Sequence, residues 1–473
     1  MPKPTDIRLV EVTSRTEQID YRSPIKFGGR VVRDVVLLHV TAEVVTGDGR
    51  RGRGLGSMPV GNVWAWPSAS LGGGETLAAM IALGRHLAAV AGDYRGCGHP
   101  LEITHELAAG HARAAEDMVA GAGPAEEMPR LAVLVAASPL EAAIYDAYGK
   151  ALGENVYNLL GERFVNRDLA AYLGDEFAGE YLDRYTLRRP KRRMPLYHLV
   201  GALDPLTAAD VAAPIGDGLP ETLGEWITAD GLTHLKIKLA GDDLDWDVDR
   251  VAAVEQVAAQ AQAARGCRAW YYSTDFNEKC RDVQYVLDFL ARLEERSPAA
   301  LQRIQYIEQP THRDLAAHRE NRMHAAARIK PVVIDESLVD FESLLLSREL
   351  GYSGVALKAC KGQSEALLMG AAAQKYGMFL CVQDLTCVGA SFLHSASLAA
   401  RIPTIAAIEG NGRQYCPRGN RGWEERLPGM FHLTDGTIET SLLDAPGLGY
   451  LDSATLRPAP EKYEHDAPAG GSP

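Results

Sequence analysis

The chain has 473 residues, 46% hydrophobic and 23% charged, a length for two or three domains and a composition that excludes disorder, collagen and coiled coil. Its 49 Lys and Arg stand against 62 Asp and Glu, and the net charge of −13 repels nucleic acid and anionic lipid. Seven cysteines without a C-x-x-C pair suit reduced thiols, and the charged segment Met1–Val10 lacks the apolar run of a signal peptide, so a cytoplasmic chain is expected. The most apolar stretch, Leu131 to Leu140, is about half the length of a membrane-spanning helix and contains Pro139.

Residues 6–56 read as β structure. Asp6 to Thr13 alternates, and Val31 to Val45 is rich in β-branched residues and runs into Thr46-Gly47-Asp48-Gly49, whose Asp-Gly step favours a tight hairpin turn. After Gly72-Gly73-Gly74, Ala- and Leu-rich segments predict helices over 75–91, 101–119 and 139–152. The last is opened by Ser138, Pro139 and Glu141 at N-cap, N1 and N3. Sheet followed by helices makes an α+β unit over 1–193, ending at Arg188-Arg189-Pro190-Lys191-Arg192-Arg193, which reads as a solvated linker because no aromatics interleave its charges. From Met194 the texture changes. Short β-like runs begin at Pro195, His234, Arg268, Ile304, Val332, Gly354, Met378 and Thr404, each followed by a helical segment. That alternation over 194–414 predicts a (β/α)₈ barrel, with a doubly wound sheet as the alternative. The tail, 461–473, reads as disordered.

A barrel enzyme places its reactive groups at the carboxyl ends of its strands. In His234-Leu235-Lys236-Ile237-Lys238-Leu239 two lysines share one strand face, the lumen if Leu235 and Ile237 pack outward. Repulsion and desolvation would then favour a neutral Lys238 able to accept a proton. Asp275, Glu308 and Asp335 tip three successive strands, 33 and then 27 residues apart, each about one βα repeat. Three carboxylates converging on one lumen require a cation, and an all-oxygen set without His or Cys suits Mg²⁺ rather than zinc. The sixth strand ends at Lys358, which enters opposite Lys238, while Lys361 lies three residues on in the loop. Two such lysines can remove and return a proton on opposite faces of one carbon. Schiff-base aldolase chemistry is the rival use of a buried lysine, but leaves the carboxylate trio without a role.

The pattern K-x-K, D-x-N (Asp275 and Asn277), E-Q-P, D-E-S and a strand-borne Lys358 resembles the enolase superfamily, in its mandelate racemase and muconate-lactonizing group. Ser138 to Gly153 resembles that group's capping-domain helix, and Pro446-Gly447-Leu448-Gly449 its carboxy-terminal return. The resemblance implies a modified TIM barrel, (β/α)₇₋₈, with an N-terminal α+β capping domain completed by residues of about 415–460. It makes Asp275, Glu308 and Asp335 the Mg²⁺ ligands, Lys238 and Lys358 the acid/base pair, and Lys236 the neighbour that tunes Lys238 and touches the substrate carboxylate. A Lys on the sixth strand, with no His after the seventh, resembles the muconate-lactonizing branch. Departures are the cap entry Gly52-Arg53-Gly54-Leu55-Gly56-Ser57, which lacks a Gly-Glu, Gln363-Ser364 in place of a Gly-Gly, and a long 154–233 segment that implies a loop insertion.

Specificity is expected from Tyr21 to Gly28, Met58 to Trp66, Asn277, Asp384 and Glu409, with Arg22 and Lys26 meeting a distal anion. His394 reads as a satisfied helix histidine. The expected activity is abstraction of the proton α to a carboxylate through an enediolate, by a racemase or epimerase, with an acid-sugar dehydratase or a cycloisomerase as alternatives. A non-catalytic acid-binding relative remains the reading from another class. A homo-oligomer is expected by resemblance, with a small carboxylate, and neither nucleic acid nor membrane, as partner.

Overall fold

A computed structural model of the chain describes residues 2–27, 30–122 and 126–451. Strands β1 (Ile7–Phe27), β2 (Arg30–Thr46) and β3 (Arg51–Pro59) form an antiparallel sheet in that order. β1 runs well past the alternating segment, because Ile19 and Ile25 find Val35 and Val32 as cross-strand partners in β2. Gly49, at φ +89°, makes the turn that the Asp-Gly step predicts.

After a single helical turn, Asn62–Ala65, come four longer helices, α1 (Gly73–Asp93), α2 (Pro100–Ala108), α3 (His111–Ala122) and α4 (Arg130–Leu152). The single helix expected over 101–119 is two, broken at Ala109-Gly110, where glycine disfavours helix continuation. α4 begins at Arg130 rather than at Pro139, so the expected capping box is a helix interior. Proline leaves the carbonyl of Val135 without its amide partner, and Ser138 Oγ donates to that carbonyl at 2.9 Å. By length and apolarity α4 would suffice to cross a bilayer, yet its apolar stretch lies wholly buried within the protein. β3 packs so tightly on it that a Cβ at Gly54 would lie 2.2 Å from the amide nitrogen of Ala147.

The rest is a closed barrel of eight parallel strands: β4 (Met194–Val200), β5 (His234–Lys238), β6 (Tyr271–Asp275), β7 (Ile304–Glu308), β8 (Val332–Ile334), β9 (Gly354–Lys358), β10 (Phe379–Gln383) and β11 (Ile408–Glu409). β11 pairs with β4 and closes it, and β12 (Thr437–Ile438) adds antiparallel to β4. The protein is therefore an α/β barrel with an N-terminal cap, and the doubly wound alternative falls. The basic stretch is not simply solvated: Lys191 Nζ donates to the carbonyls of Ile402 and Ile405 and pins it to the barrel. Asp146 of α4 accepts the amide of Leu55 at 2.9 Å and that of Leu448 at 2.9 Å, so the Pro446–Gly449 segment returns to the cap. The tail expected to be disordered, and Gly28 of the cap loop, lie outside the described residues.

Candidate active site

Side chains in a strand repeat every second residue, so a barrel lumen is filled in layers. Tyr197, Tyr306, Val333, Ala356, Cys381 and Ala407 form one apolar layer. Two residues further along the same strands stand Glu308, Asp335, Lys358, Gln383 and Glu409. In strand register Lys238 pairs with Asp275, and Asp275 with Glu308. Lys236, Lys238, Asp275, Glu308, Asp335 and Lys358 are thus brought together at the carboxyl end of the lumen, none more than 6% exposed.

Burying this many charges is tolerable only because opposite signs interleave. Lys236 Nζ lies 2.8 Å from Glu308 Oε1, 2.9 Å from Glu409 Oε2 and 3.1 Å from Asp275 Oδ2. Lys238 pairs with Asp275. β9 lies four strands from β5 in a ring of eight and so stands across the lumen. From there Lys358 Nζ reaches Asp335 Oδ2 at 2.8 Å. The cap closes the top with Trp64, whose indole N–H donates to Glu336 Oε1 at 2.9 Å and whose ring lies 4.4 Å from Lys358 Nζ.

These neighbours set the protonation states. Burial opposes the charge on Lys236, but Glu308, Glu409 and Asp275 outweigh it and hold its pKa well above the ordinary value. The two amines expected to repel each other share a carboxylate instead: Asp275 Oδ2 lies 3.1 Å from Lys236 Nζ and also pairs with Lys238. Lys358 is likewise raised: burial works against its charge, and Asp335 prevails. Burial pushes Glu308 up, as does the charge of Asp275. Asp275, despite its own burial, is held low by Lys238 and Lys236.

Of the other expected residues, Asp384 is buried beside the site, raised to about 8 by burial and by Glu409. Its Oδ2 accepts the amides of Cys387 (3.1 Å) and Asn411 (3.4 Å). Asn277 uses its backbone amide, 2.8 Å from Asp275 Oδ1, at φ +46°. Arg22 points elsewhere: its guanidinium is taken up by Asp217 and by the carbonyls of Leu219 (3.2 Å) and Pro220 (3.0 Å), in the segment between β4 and β5, and Lys26 is exposed on β1. Tyr21, Pro59 and Trp64 of the cap and Leu385 and Thr386 of the barrel line a cavity of about 340 Å³.

Three further residues join the cluster. Lys361, read from the sequence as a loop residue, is buried, with Nζ 3.2 Å from Asp335 Oδ1 and donating to the Asp335 carbonyl. Glu336 holds Trp64, and Gln383 donates to Glu308. Gln383 was legible as the next inward position after Cys381. Lys361 was not, because a 3₁₀ turn, Ala359–Lys361, brings it in off the strand period.

The donor set fits a divalent cation. Asp275, Glu308, Asp335, Glu336, Asp384 and Glu409 face Lys236, Lys238, Lys358 and Lys361, all buried. Six carboxyls thus stand against four amines, a formal excess of two that burial opposes by raising Glu308, Glu336 and Asp384, and all the acidic donors are oxygens. Among the described residues, no three His, Cys, Asp or Glu side chains are placed together so as to hold a metal ion as they stand; ammonium groups lie between the carboxylates.

Fold and site together define a capped barrel with an ionic lumen end. Residues 219–451 match the enolase C-terminal domain-like family. No curated protein matches the sequence. Among solved structures the chain resembles a dipeptide epimerase from Enterococcus faecalis V583, complexed with Mg and the dipeptide L-Leu-L-Tyr, at 18% identity, covering 93% of this chain and 99% of that one with a TM-score of 0.59. A mandelate racemase/muconate lactonizing protein from Herpetosiphon aurantiacus matches at 21% identity over 95% of this chain and 100% of that one (TM-score 0.59). An enolase from Bradyrhizobium, complexed with magnesium and mandelic acid, matches at 16% identity over 94% and 96% (TM-score 0.57). At these identities the likeness is one of fold.

Proposed function

We propose that this chain is a Mg²⁺-dependent racemase or epimerase of a carboxylate, of the type that uses a lysine on either side of the substrate. The observation that carries this reading is the placement of Lys238 on β5 and Lys358 on β9, across one lumen with carboxylates between them. Asp275, Glu308 and Asp335 would hold the cation. When bound, it supplies positive charge that makes a proton α to a carboxylate easier to remove.

The chain's own groups perform the transfer. One lysine, as the neutral amine, takes the α proton, and the electron pair left on carbon delocalises into the carboxylate as an enediolate. The lysine opposite, as the ammonium, delivers a proton to the other face, so the carbon is inverted and one proton has been exchanged. Lys236, kept charged by Glu308 and Glu409, neutralises the carboxylate. The cavity beside Trp64 and Tyr21 receives the substituent. Dipeptides and aromatic 2-hydroxy acids, the ligands bound by the Enterococcus and Bradyrhizobium proteins, are the first classes to test.

The test is incubation of a panel of dipeptides and 2-hydroxy acids with the protein and Mg²⁺ in D₂O, followed by mass spectrometry and NMR. Deuterium uptake at the α carbon together with appearance of the opposite stereoisomer is expected for at least one class. No uptake across the panel, or uptake with loss of water, contradicts the proposal.

A further inference from the structure

The residue pair Gln363-Ser364, which departs from the expected Gly-Gly, and Glu141 of the cap helix meet in one buried network. The Ser364 amide donates to Glu141 Oε2 at 2.9 Å, and Ser364 Oγ lies 2.6 Å from Thr104 Oγ1 and 2.9 Å from the Tyr145 hydroxyl. Gln363 Oε1 is 2.7 Å from His394 Nε2 and its amide donates to the Tyr157 hydroxyl at 3.3 Å, so His394 is held through one ring nitrogen, while its Nδ1 is buried with no partner among the described residues and the expectation of a satisfied histidine holds only in part. Gly362, at φ +108°, comes so close that a Cβ there would stand 2.8 Å from both carboxylate oxygens of Glu141. The cap thus grips this turn through polar groups as well as apolar packing.

The turn carries the chemistry. Lys358 ends β9, the 3₁₀ turn Ala359–Lys361 follows, and the Gly362 amide closes it on the Ala359 carbonyl at 3.1 Å, directly before the helix Gln363–Lys375. Lys358 and Lys361 both reach Asp335 from this segment, which Glu141 holds at its far end. Lys238, across the lumen on β5, pairs with Asp275 on the neighbouring strand β6.

We propose that Glu141 is a positioning residue for one base alone: through Gly362 and Ser364 it sets the place of Lys358, so that cap docking controls proton transfer on a single face of the substrate. The inference rests on the two-lysine reading of the site. A cap contact that merely stabilised the protein would affect both faces alike.

The experiment uses the full chain with Mg²⁺ and the dipeptide or 2-hydroxy-acid stereoisomer pair that the wild type exchanges in D₂O. Lys358→Ala first assigns the stereoisomer whose proton Lys358 removes. Glu141→Ala is then expected to slow exchange of that stereoisomer at least tenfold and to leave the other within twofold. Glu141→Gln, whose side-chain carbonyl still accepts the Ser364 amide, restores both. Should Glu141→Ala fail to fold, Gly362→Ala reaches the same contact from the barrel side and gives the same one-sided loss.

A readout independent of substrate is amide hydrogen exchange, expected to accelerate at least tenfold over residues 359–366 in the variant and to stay unchanged over 234–238. Equal loss on both stereoisomers, or unchanged protection over 359–366, overturns the role of Glu141. A wild type that exchanges neither stereoisomer of any pair overturns the two-lysine reading, and this inference with it.

Discussion

Two layers of the same lumen, two residues apart on the same strands, behave in opposite ways. The lower is apolar, built from Tyr197, Tyr306, Val333, Ala356, Cys381 and Ala407. The upper holds Glu308, Asp335, Lys358, Gln383 and Glu409, with Lys236, Lys238 and Asp275 beside them. The lower layer gains from leaving water; the upper loses by it, and persists through ion pairs such as Lys358–Asp335 at 2.8 Å. The barrel below therefore supplies stability that the reactive layer above draws on.

Four perturbations test that division, from the largest expected effect to the smallest. Chelation of the divalent cation should lower α-proton exchange by about 10³-fold or more, within the reach of electrostatic stabilisation, and added Mg²⁺ should restore it. The same titration should raise the thermal midpoint, by the equivalent of about 2.7 kcal/mol at 100 times the dissociation constant. A midpoint indifferent to Mg²⁺ would mean that the excess negative charge of the upper layer is balanced otherwise.

Tyr306→Ala, in the lower layer, should cost about 3–5 kcal/mol of unfolding free energy in denaturant titration, the usual loss for a buried aromatic, while the folded fraction keeps its turnover within tenfold. If stability holds and turnover collapses, the layers are not separable. Outside the barrel, Gly54→Ala forces a Cβ to within 2.2 Å of the Ala147 amide nitrogen and should cost about 1–3 kcal/mol by the same titration.

The seam between cap and barrel gives the smallest effect. Burial pushes Glu141 up to about 7, and Glu365 up to about 8 by burial and the charge of Glu141. The folded chain then keeps protons that the unfolded chain releases near pH 4, so these two groups make stability fall as pH rises from about 4 to 8. Glu365→Gln should flatten that slope in thermal melts collected across the range.

Much of this was legible because strands have period two. Lys236 and Lys238, or Tyr306 and Glu308, announce one face by their spacing, and the recurrence of a carboxylate once per βα unit announces convergence. What escaped depends on contacts that no local period encodes. Arg22 meets Asp217, 195 residues away, because the segment between β4 and β5 reaches the cap hairpin. Lys361 enters through a 3₁₀ turn. The start of α4 was misplaced because Ser138 serves two incompatible patterns: ahead of a proline it reads as a cap, whereas inside a helix it repairs the carbonyl that the proline strands. The eighth strand begins at Ile408 rather than Thr404 and is two residues long, too short for any pattern to bound it.

The central claim is that two amines act on opposite faces of one carbon. It is tested most directly by following α-deuterium uptake into each stereoisomer separately with Lys238→Ala and Lys358→Ala. Each variant should lose interconversion by about 10²–10⁴-fold while exchanging the proton of one stereoisomer only, and the two variants should retain opposite ones. If both variants keep the same stereoisomer, or both interconvert at the wild-type rate, the claim is wrong.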